Sequence, residues 1–262
     1  MITSVMLRSS AKINIGLHIV GKRPDGYHLL ETLFYPVEQL FDMMLVERDE
    51  GEGCTVIMQD MDEQVPLEQN LIYKAWRLMT EQLEKKNAGV RIRVRKAIPA
   101  GAGLGGGSSN AATTMKALRD LWKVDVSDQQ LATWGAKLGA DVPFFIYEKP
   151  MYGTGTGTTL EPHPLDISQY ELRLKIFNIH SSTVEAYKAM RPEDIGHTTP
   201  LRPLLELPIS EWRHHILNDL ERPVFEKYPI LAQTKEELYR MGALYASMSG
   251  SGSALYGLFR KG

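Results

Sequence analysis

The sequence predicts an α+β protein in which antiparallel strands and helices share 262 residues. Apolar residues alternate with polar ones over residues 5–20 and again over residues 90–95, which is the period of a half-buried strand. Apolar residues recur at helical spacing behind residues that cap helices, as they do after Asn70. A chain of this length is long enough for one large domain or two ordinary ones.

The composition is that of an ordinary globular protein, with 43% hydrophobic and 24% charged residues. The net charge of −2 gives no electrostatic reason to expect nucleic acid or a membrane surface as a partner. Cys54 is the only cysteine, which excludes a disulfide framework and a thiolate metal cluster and fits a reducing, cytoplasmic location. No apolar run approaches the ~18 residues of a membrane span. We expect no resident metal site.

A glycine-rich stretch organises the chain: five of the seven residues from Gly101 to Gly107 are glycine. Such a density disfavours the interior of a strand or helix, where each glycine costs about 0.5–1 kcal/mol relative to alanine. A predicted strand over residues 90–95 precedes it, and a predicted helix capped by Ser108 or Ser109 follows. This order favours a phosphate cradle, because free N–H groups and the positive end of the helix dipole face one point.

Other interpretations of the glycine loop are weaker. No lysine follows the glycines at the spacing of a P-loop. Gly101, Gly103 and Gly106 satisfy the dinucleotide fingerprint, with Asp120 downstream. However, a doubly wound sheet buries both faces of its strands, whereas three arginines lie on one face of the strand that precedes the loop. A purely structural turn before a helix remains the alternative.

Four further segments allow both a chemical and a structural interpretation. Lys12 lies on a predicted strand, where a lysine is usually exposed. Tyr27 and His28, adjacent in a polar turn, form either a stacking surface for a flat ring or a hairpin cap. Asp141, ahead of an apolar run, is either a partly desolvated carboxylate that needs a partner or a turn cap. Residues 249–253 fit a hairpin loop and also a second set of backbone donors to a phosphate.

The remaining elements are predicted in chain order. A glycine- and threonine-rich run at residues 152–159 predicts a flexible segment near a domain boundary. Pro143 is expected to hold Val142 in an extended conformation. Further strands are predicted within residues 35–65 and over residues 172–176, 244–248 and 254–259. Helices are predicted from Asn70 to Gly89, from Ser127 to Gly139, and over residues 183–190, about 212–220 and 229–241.

Taken together, these segments resemble the GHMP superfamily of small-molecule kinases over almost the whole chain. The glycine loop alone would indicate only the superfamily. The segment Asp25-Gly26-Tyr27-His28, combined with residues 139–145, is similar to the kinases of the methylerythritol phosphate route to isoprenoids. The matching segments are residues 11–14, 24–28, 32–34, 99–112, 138–145, 182–187, 218–221 and 249–252.

The resemblance implies a two-domain fold with the active site in the cleft. Residues 1–157 would form an N-terminal, ribosomal-S5-like α/β domain, and residues 158–262 a C-terminal, ferredoxin-like α/β domain. It also implies an ATP-dependent kinase that phosphorylates the 2-hydroxyl of cytidine diphosphate methylerythritol, with Mg²⁺ carried by the nucleotide. The expected partners are therefore ATP and this small molecule, with no nucleic acid and no membrane.

The resemblance also assigns roles to individual residues. Lys12 and Asp141 would be the catalytic pair, and Asn70 would lie near the adenine side. The residues implied for ATP are Lys96, Pro99, Ala100, Gly101, Ala102, Gly103, Leu104, Gly105, Gly106, Gly107, Ser108 and Ser109. For the substrate, the resemblance implies that Tyr27, His28 and Phe34 hold the cytosine ring and that Asn14, Thr183 and Tyr187 line the rest of the pocket. Residues 155–158 lack a glutamate that the family usually carries there, so no role is transferred to that stretch.

Three rival functions remain. A GHMP kinase for homoserine, mevalonate or a sugar would have no flat base to stack on Tyr27 and His28. A non-catalytic nucleotide- or RNA-binding protein is opposed by the nearly neutral charge. A dinucleotide-dependent oxidoreductase is opposed by the arginine-bearing strand before the glycine loop.

Overall fold

The computed structural model describes residues 3–59, 66–85, 88–196 and 199–262. They form two compact units. Unit 1 comprises Met1–Ala11, Pro36–Pro99 and Gly105–Glu148, and unit 2 comprises Lys12–Tyr35, Ala100–Leu104 and Lys149–Gly262. This division reports compactness and does not test the family-domain boundary at residue 157, which stays a prediction. Residues 60–65, part of a stretch predicted to hold strands, lie outside the described residues.

Two long strands contribute residues to both units. Strand β1 runs over Ser4–Lys22 and strand β2 over His28–Arg48. In the turn between them, the Arg23 N–H donates to the Tyr27 carbonyl at 2.7 Å. Residues 5–20, predicted to form a strand or a pair of strands, lie within the single strand β1.

Unit 1 combines a sheet with four helices. Strand β4 (Val90–Arg95) pairs antiparallel with the end of β2 and parallel with β3 (Cys54–Gln59). Its apolar residues are buried and its arginines face outward, as the alternation predicts. The helices are α1 (Leu71–Gln82), α2 (Gly106–Trp122), α3 (Asp128–Gly135) and α4 (Val142–Tyr147).

Several boundaries predicted in unit 1 are wrong for local reasons. Helix α1 ends well before Gly89, because Glu84 takes a left-handed conformation with φ of 50°. Helix α2 is capped by Gly105, with φ of 73°, so neither predicted serine caps it. Val142 begins helix α4 and is not extended, since a proline in the first turn of a helix loses no hydrogen bond there.

Helix α3 also ends earlier than predicted, at Gly135, and a turn covers the residues before Gly139. Its predicted cap is confirmed, because Ser127 Oγ accepts from the Gln130 N–H at 3.1 Å.

The described residues of unit 2 form a hairpin, a three-stranded sheet and five α-helices. Strands β5 (Met151–Thr154) and β6 (Thr159–Pro162) form the hairpin, so residues 152–159 are an ordered turn with its strands and not a flexible segment. Strands β7 (Tyr170–Lys175), β8 (Tyr245–Met248) and β9 (Leu255–Arg260) form an antiparallel sheet in the order β7-β9-β8. The strands predicted at residues 172–176, 244–248 and 254–259 are thereby confirmed.

The helices of unit 2 are α5 (Thr183–Lys188), α6 (Leu201–Leu204), α7 (Ile209–His215), α8 (Glu221–Lys227) and α9 (Pro229–Arg240). Helix α7 ends five residues before the predicted Leu220, because Leu217 and Asp219 bond to the backbone of Leu17 in β1. Helices α6 and α8 carry no strong sequence signal and were not predicted. Among the described residues, no helix is long and apolar enough to cross a membrane.

Candidate active site

Lys12 and Asn14 are among the buried polar side chains that strand β1 carries in unit 2, and each is only 3% exposed. The Lys12 ammonium donates to Asn14 Oδ1 at 2.5 Å and lies 5.6 Å from the centre of the Phe34 ring. The expectation that Lys12 faces solvent is therefore wrong. Burying an ammonium without compensation is expensive, so this position calls for polar partners.

Asn14 is held by hydrogen bonds from several directions. Its Nδ2 donates to Thr32 Oγ1 at 3.0 Å, and that hydroxyl donates to the Gly16 carbonyl at 2.6 Å. The Tyr256 hydroxyl donates to the Asn14 carbonyl at 2.8 Å. The amide that partners Lys12 is thus fixed in orientation before any ligand binds.

The first half of the glycine loop, residues 100–104, has its carbonyl groups anchored within unit 2. The Ala102, Gly103 and Leu104 carbonyls accept from the Ala254 N–H at 3.0 Å, Ser249 Oγ at 2.8 Å and the Lys12 N–H at 3.0 Å, respectively. In a trans peptide the N–H points opposite to the carbonyl. The N–H groups of Gly103 and Leu104 therefore point away from Ala254 and Ser249.

Close backbone contacts explain why glycine occupies this loop. Gly103 has φ of +75°, and a Cβ added there would lie 2.0 Å from the Ser249 carbonyl oxygen. A Cβ on Gly101 would lie 2.1 Å from His180 Nδ1. Neither position has room for a larger residue.

Residues 249–253 form the turn of the predicted β8–β9 hairpin, which is confirmed. This turn approaches the buried pair: a Cβ added to Gly250 would lie 3.2 Å from Asn14 Oδ1 and 3.4 Å from Lys12 Nζ. The Ser251 hydroxyl lies 2.6 Å from Thr183 Oγ1. Thr183, predicted from the family resemblance, is therefore tied to the same turn.

The predicted base-binding aromatics occupy different environments. Tyr27 is 66% exposed, whereas Phe34 is buried. The His28 and Tyr187 rings stack with centres 5.0 Å apart and planes at 23°. Rings at that separation are in direct contact, so no base fits between them. Burial and the charge of Lys22 lower the pKa of His28, which favours a neutral imidazole.

In unit 1, the second half of the loop begins helix α2, and one predicted residue, Lys96, lies beside its first turn. The Lys96 ammonium pairs with the fully buried Asp42, donates to Asn110 Oδ1 at 3.1 Å and lies 3.2 Å from a Cβ added to Gly106. Asn70 caps α1 by accepting from the Ile72 N–H at 2.9 Å.

The next residue after Asn70 approaches the same turn, since Leu71 Cδ1 lies 3.4 Å from a Cβ on Gly107. Ser109 is fully buried, and its hydroxyl donates to the Ser10 carbonyl at 2.6 Å. Ser108 is half-buried in the same turn. Of the two serines, Ser108 is thus the less buried.

Asp141 immediately precedes helix α4 in unit 1 and is half-buried. All of α4 lies within the described residues, and the Asp141 side chain makes no capping hydrogen bond to it. Asp141 therefore does not cap helix α4, and its interpretation as a turn cap stays a prediction beside the catalytic one.

Two residues of these networks were missed by sequence reasoning. Asp42 accepts from the Ala97 and Ile98 N–H groups at 2.7 and 2.9 Å as well as pairing with Lys96. Its signal was a single acid within an apolar stretch of β2, where a charge is rarely buried without a partner. Thr32 accepts a hydrogen bond from Asn14, but nothing in the sequence around it distinguishes it from other threonines in strands.

Comparison with known proteins agrees with these features. The description "GHMP kinases N terminal domain" matches residues 70–149, and "GHMP kinases C terminal" matches residues 204–262. The 4-diphosphocytidyl-2-C-methyl-D-erythritol kinase of Parabacteroides distasonis is 42% identical over 252 residues, covering 96% of this chain and 90% of that protein.

Solved structures agree at the level of the fold. A crystal structure of 4-(cytidine 5'-diphospho)-2C-methyl-D-erythritol kinase has a TM-score of 0.79 at 36% identity, covering 97% of this chain and 90% of the other. The mevalonate kinase of Methanococcus jannaschii reaches 0.70 at only 13% identity, covering 98% and 90%, and so shares the fold alone. The chain belongs to the GHMP kinase family, in the group formed by the 4-diphosphocytidyl-2-C-methyl-D-erythritol kinases.

Proposed function

We propose that the chain transfers the γ-phosphoryl group of ATP to the 2-hydroxyl of 4-diphosphocytidyl-2-C-methyl-D-erythritol, a step of isoprenoid biosynthesis. The observation that carries the proposal is the buried Lys12–Asn14 pair beside the anchored glycine loop, in a chain 42% identical to a kinase of that name. Phosphoryl transfer asks a protein chiefly for positioning and for neutralisation of charge, and a buried ammonium beside backbone donors supplies both.

On the nucleotide side, residues 99–109 would wrap the ATP phosphates. Because the Ala102 and Gly103 carbonyls are anchored, the N–H groups of Gly103 and Leu104, in the same peptides, would turn toward a ligand. The N-terminus of α2 would add its positive dipole end. Lys96, beside the first turn of α2, and Asn70, whose neighbour Leu71 approaches that turn, would lie toward the adenine. Because Lys96 is paired with Asp42, it would act more as an oriented donor than as an uncompensated charge.

Mg²⁺ would enter as part of the nucleotide substrate. Among the described residues, no group of three or more His, Cys, Asp or Glu side chains could hold a metal ion. The ion would be bound mainly by phosphate oxygens, as Mg²⁺ commonly is in kinases, and would neutralise phosphate charge.

Lys12 and Asp141 would be the catalytic pair. Asp141 would accept the proton of the attacking hydroxyl or orient that hydroxyl, and Lys12 would stabilise the charge that develops on the transferred group.

On the substrate side, Tyr27 would stack on the cytosine ring, since its side chain is exposed while His28 and Tyr187 already stack on each other. His28, predominantly neutral, would offer a ring nitrogen to the base. Asn14 and Thr183 would line the path to the hydroxyl, and Phe34 would pack near the Lys12 ammonium. The domain limits 1–157 and 158–262 and a cytoplasmic location remain part of the same proposal.

ADP release should be measured with ATP and a panel of alcohols: the cytidine diphosphate substrate, homoserine, mevalonate and galactose. We expect the highest kcat/KM for the cytidine compound. Equal or greater turnover of homoserine or mevalonate would overturn the substrate assignment and leave only the superfamily. ATP binding without turnover of any alcohol would favour a non-catalytic nucleotide-binding protein.

A further inference from the structure

The segment that follows helix α7 contains a buried amide whose hydrogen-bonding groups are all used. Asn218 is 3% exposed, and its Nδ2 donates to both the Met248 and Gly250 carbonyls at 2.8 Å. Its Oδ1 accepts from the Leu220 N–H at 3.0 Å. An asparagine side chain has two donor hydrogens, and both are committed to the turn at residues 249–253 or its first flank.

The backbone on both sides of Asn218 is fastened to strand β1. The Leu17 N–H donates to the Leu217 carbonyl at 2.9 Å, and the Asp219 N–H donates to the Leu17 carbonyl at 2.9 Å. The Asp219 carboxylate accepts from the Ile19 N–H at 2.7 Å. Asn218 therefore projects from a segment rigidly joined to the strand that carries Lys12.

Glu221 also forms a hydrogen bond with strand β8, which leads into the turn. Its Oε1 accepts from the Met248 N–H at 2.9 Å, and its Oε2 accepts from the Lys235 ammonium at 2.6 Å. Residues 218–221 thus bridge β1 and β8.

The turn held by Asn218 is the one that approaches the buried pair. Ser249 Oγ donates to the Gly103 carbonyl at 2.8 Å and accepts from the Asn14 N–H at 3.3 Å. The Gly250 backbone passes the Lys12 ammonium and the Asn14 amide with little spare room. A shift of the turn would move the groups that orient both the glycine loop and Asn14.

We propose that Asn218 is a positioning residue for phosphoryl transfer. Its two amide hydrogens fix the turn at residues 249–253 against Lys12, Asn14 and Gly103, and so set the geometry of the glycine loop. The inference rests on the proposed function, because it assigns a role within the same site.

The test variant is Asn218→Asp, which keeps the shape and the acceptor for the Leu220 N–H but loses both donations. It sets a carboxylate oxygen against two carbonyl oxygens. Because a misplacement of about 1 Å at a reacting centre can cost roughly 10²-fold in rate, we expect kcat to fall by that order. The KM values for both substrates should change little, since the binding groups themselves remain.

A pH profile separates positioning from a general structural role. The introduced carboxyl, buried beside two carbonyls, should have a raised pKa, and once protonated it can donate one hydrogen. The ratio of variant to wild-type kcat should therefore rise as the pH falls from about 8 to about 6 and approaches that raised pKa. Asn218→Ser, which keeps one hydroxyl donor without a charge, should have an intermediate kcat and serves if the aspartate variant does not fold.

The matched control is Thr234→Val. Thr234 is comparably buried, but its hydroxyl donates only to the Ile230 carbonyl at 2.9 Å within helix α9. Its removal should leave kcat unchanged.

Hydrogen–deuterium exchange of a peptide covering residues 246–256 gives a readout that does not require turnover. We expect faster exchange there in Asn218→Asp and no change in the α9 peptide. Unchanged exchange with wild-type kcat in folded Asn218 variants would overturn the inference and leave the proposed function standing. If wild-type protein does not phosphorylate the cytidine substrate, the proposed function fails, and the exchange measurement still decides whether Asn218 holds the turn.

Discussion

Strands β1 and β4 have the same sequence pattern, apolar residues alternating with polar ones, yet their polar faces differ. On β4, Arg91 pairs with Asp49 at 2.9 Å and Arg93 pairs with Glu47, and both arginine side chains stay substantially exposed. On β1, Lys12 and Asn14 are almost completely buried and bond to each other.

The difference shows what the alternation can and cannot establish. A period of two separates the faces of a strand, but it does not tell which face is covered. An exposed ion pair contributes about 0–1 kcal/mol and can be lost at little cost, whereas a buried ammonium is retained against a desolvation penalty. A buried lysine on an otherwise ordinary strand is therefore a candidate for chemistry.

The other member of the proposed catalytic pair gives the largest expected effect. Asp141→Asn keeps the shape of the side chain and removes the proton acceptor. We expect kcat to fall by about 10²–10⁴, equivalent to roughly 2.7–5.4 kcal/mol of barrier, while ATP affinity and the unfolding temperature change little. Steady-state kinetics and thermal unfolding measure both.

Asp141→Ala separates two roles of the carboxylate. If the transition state is loose and Asp141 mainly orients the hydroxyl, kcat should fall modestly in the asparagine variant and much more in the alanine variant. Wild-type turnover in both folded variants would remove Asp141 from the mechanism.

Tyr27 is exposed but is predicted to bind the substrate, so exposure alone does not make a residue inert. Tyr27→Ala should weaken binding of the cytidine substrate by roughly 1–3 kcal/mol, the range for stacking of a base on an aromatic ring. Tyr27→Phe, which keeps the ring, should bind almost as wild type. Calorimetry that finds ATP and the cytidine substrate weakened alike would make Tyr27 structural, in line with the hairpin-cap interpretation.

His18 on β1 is buried but has no proposed catalytic role, so burial alone does not identify a catalytic residue either. Its ring is fully buried, with Nδ1 2.8 Å from the Thr199 carbonyl. Desolvation lowers the pKa of His18, although Asp219 and Glu31 oppose the shift. The unfolded chain therefore binds the proton more tightly, so this contribution to stability is present above about pH 6.5 and is lost as the pH falls below it.

His18→Asn retains a donor for the Thr199 carbonyl without a titrating group. Between about pH 7.5 and pH 5.5 we expect it to lose less unfolding free energy than wild type, with kcat unchanged. The difference should stay below about 1.4 kcal/mol for each step of one in pH, because a single proton is involved. Denaturant unfolding at each pH measures it, and exposed His214→Asn is the control. An unaltered pH dependence in His18→Asn would show that His18 does not titrate with folding.

Much of the fold followed from local chemistry. The caps at Asn70 and Ser127, the outward arginines of β4 and the hairpin around residues 249–253 were predictable, because each depends on neighbours in sequence. The ends of elements were less predictable, because the left-handed conformation of Glu84 and the start of helix α4 at Val142, one residue before Pro143, depend on packing that competes with propensity.

The candidate site was predictable only in part for a related reason. The glycine loop is visible in the sequence because its glycines are contiguous. The burial of Lys12, the support from Thr32 and the hold of Asn218 on Gly250 depend on residues that are distant from one another along the chain. Periodicity carries no information at such separations, and the family resemblance supplied Lys12 and Asp141 instead.

The most direct test of the account compares Lys12→Met with Arg93→Met, in turnover and in unfolding free energy together. If the buried ammonium serves phosphoryl transfer, Lys12→Met should lose roughly 10²–10³ in kcat, as on removal of a group that stabilises transition-state charge. Its unfolding free energy should change by less than about 2 kcal/mol, because removing a buried charge offsets the lost bond to Asn14. Arg93→Met should keep wild-type turnover and change stability by about 0.5 kcal/mol or less. Folded Lys12→Met protein with wild-type kcat would contradict the account.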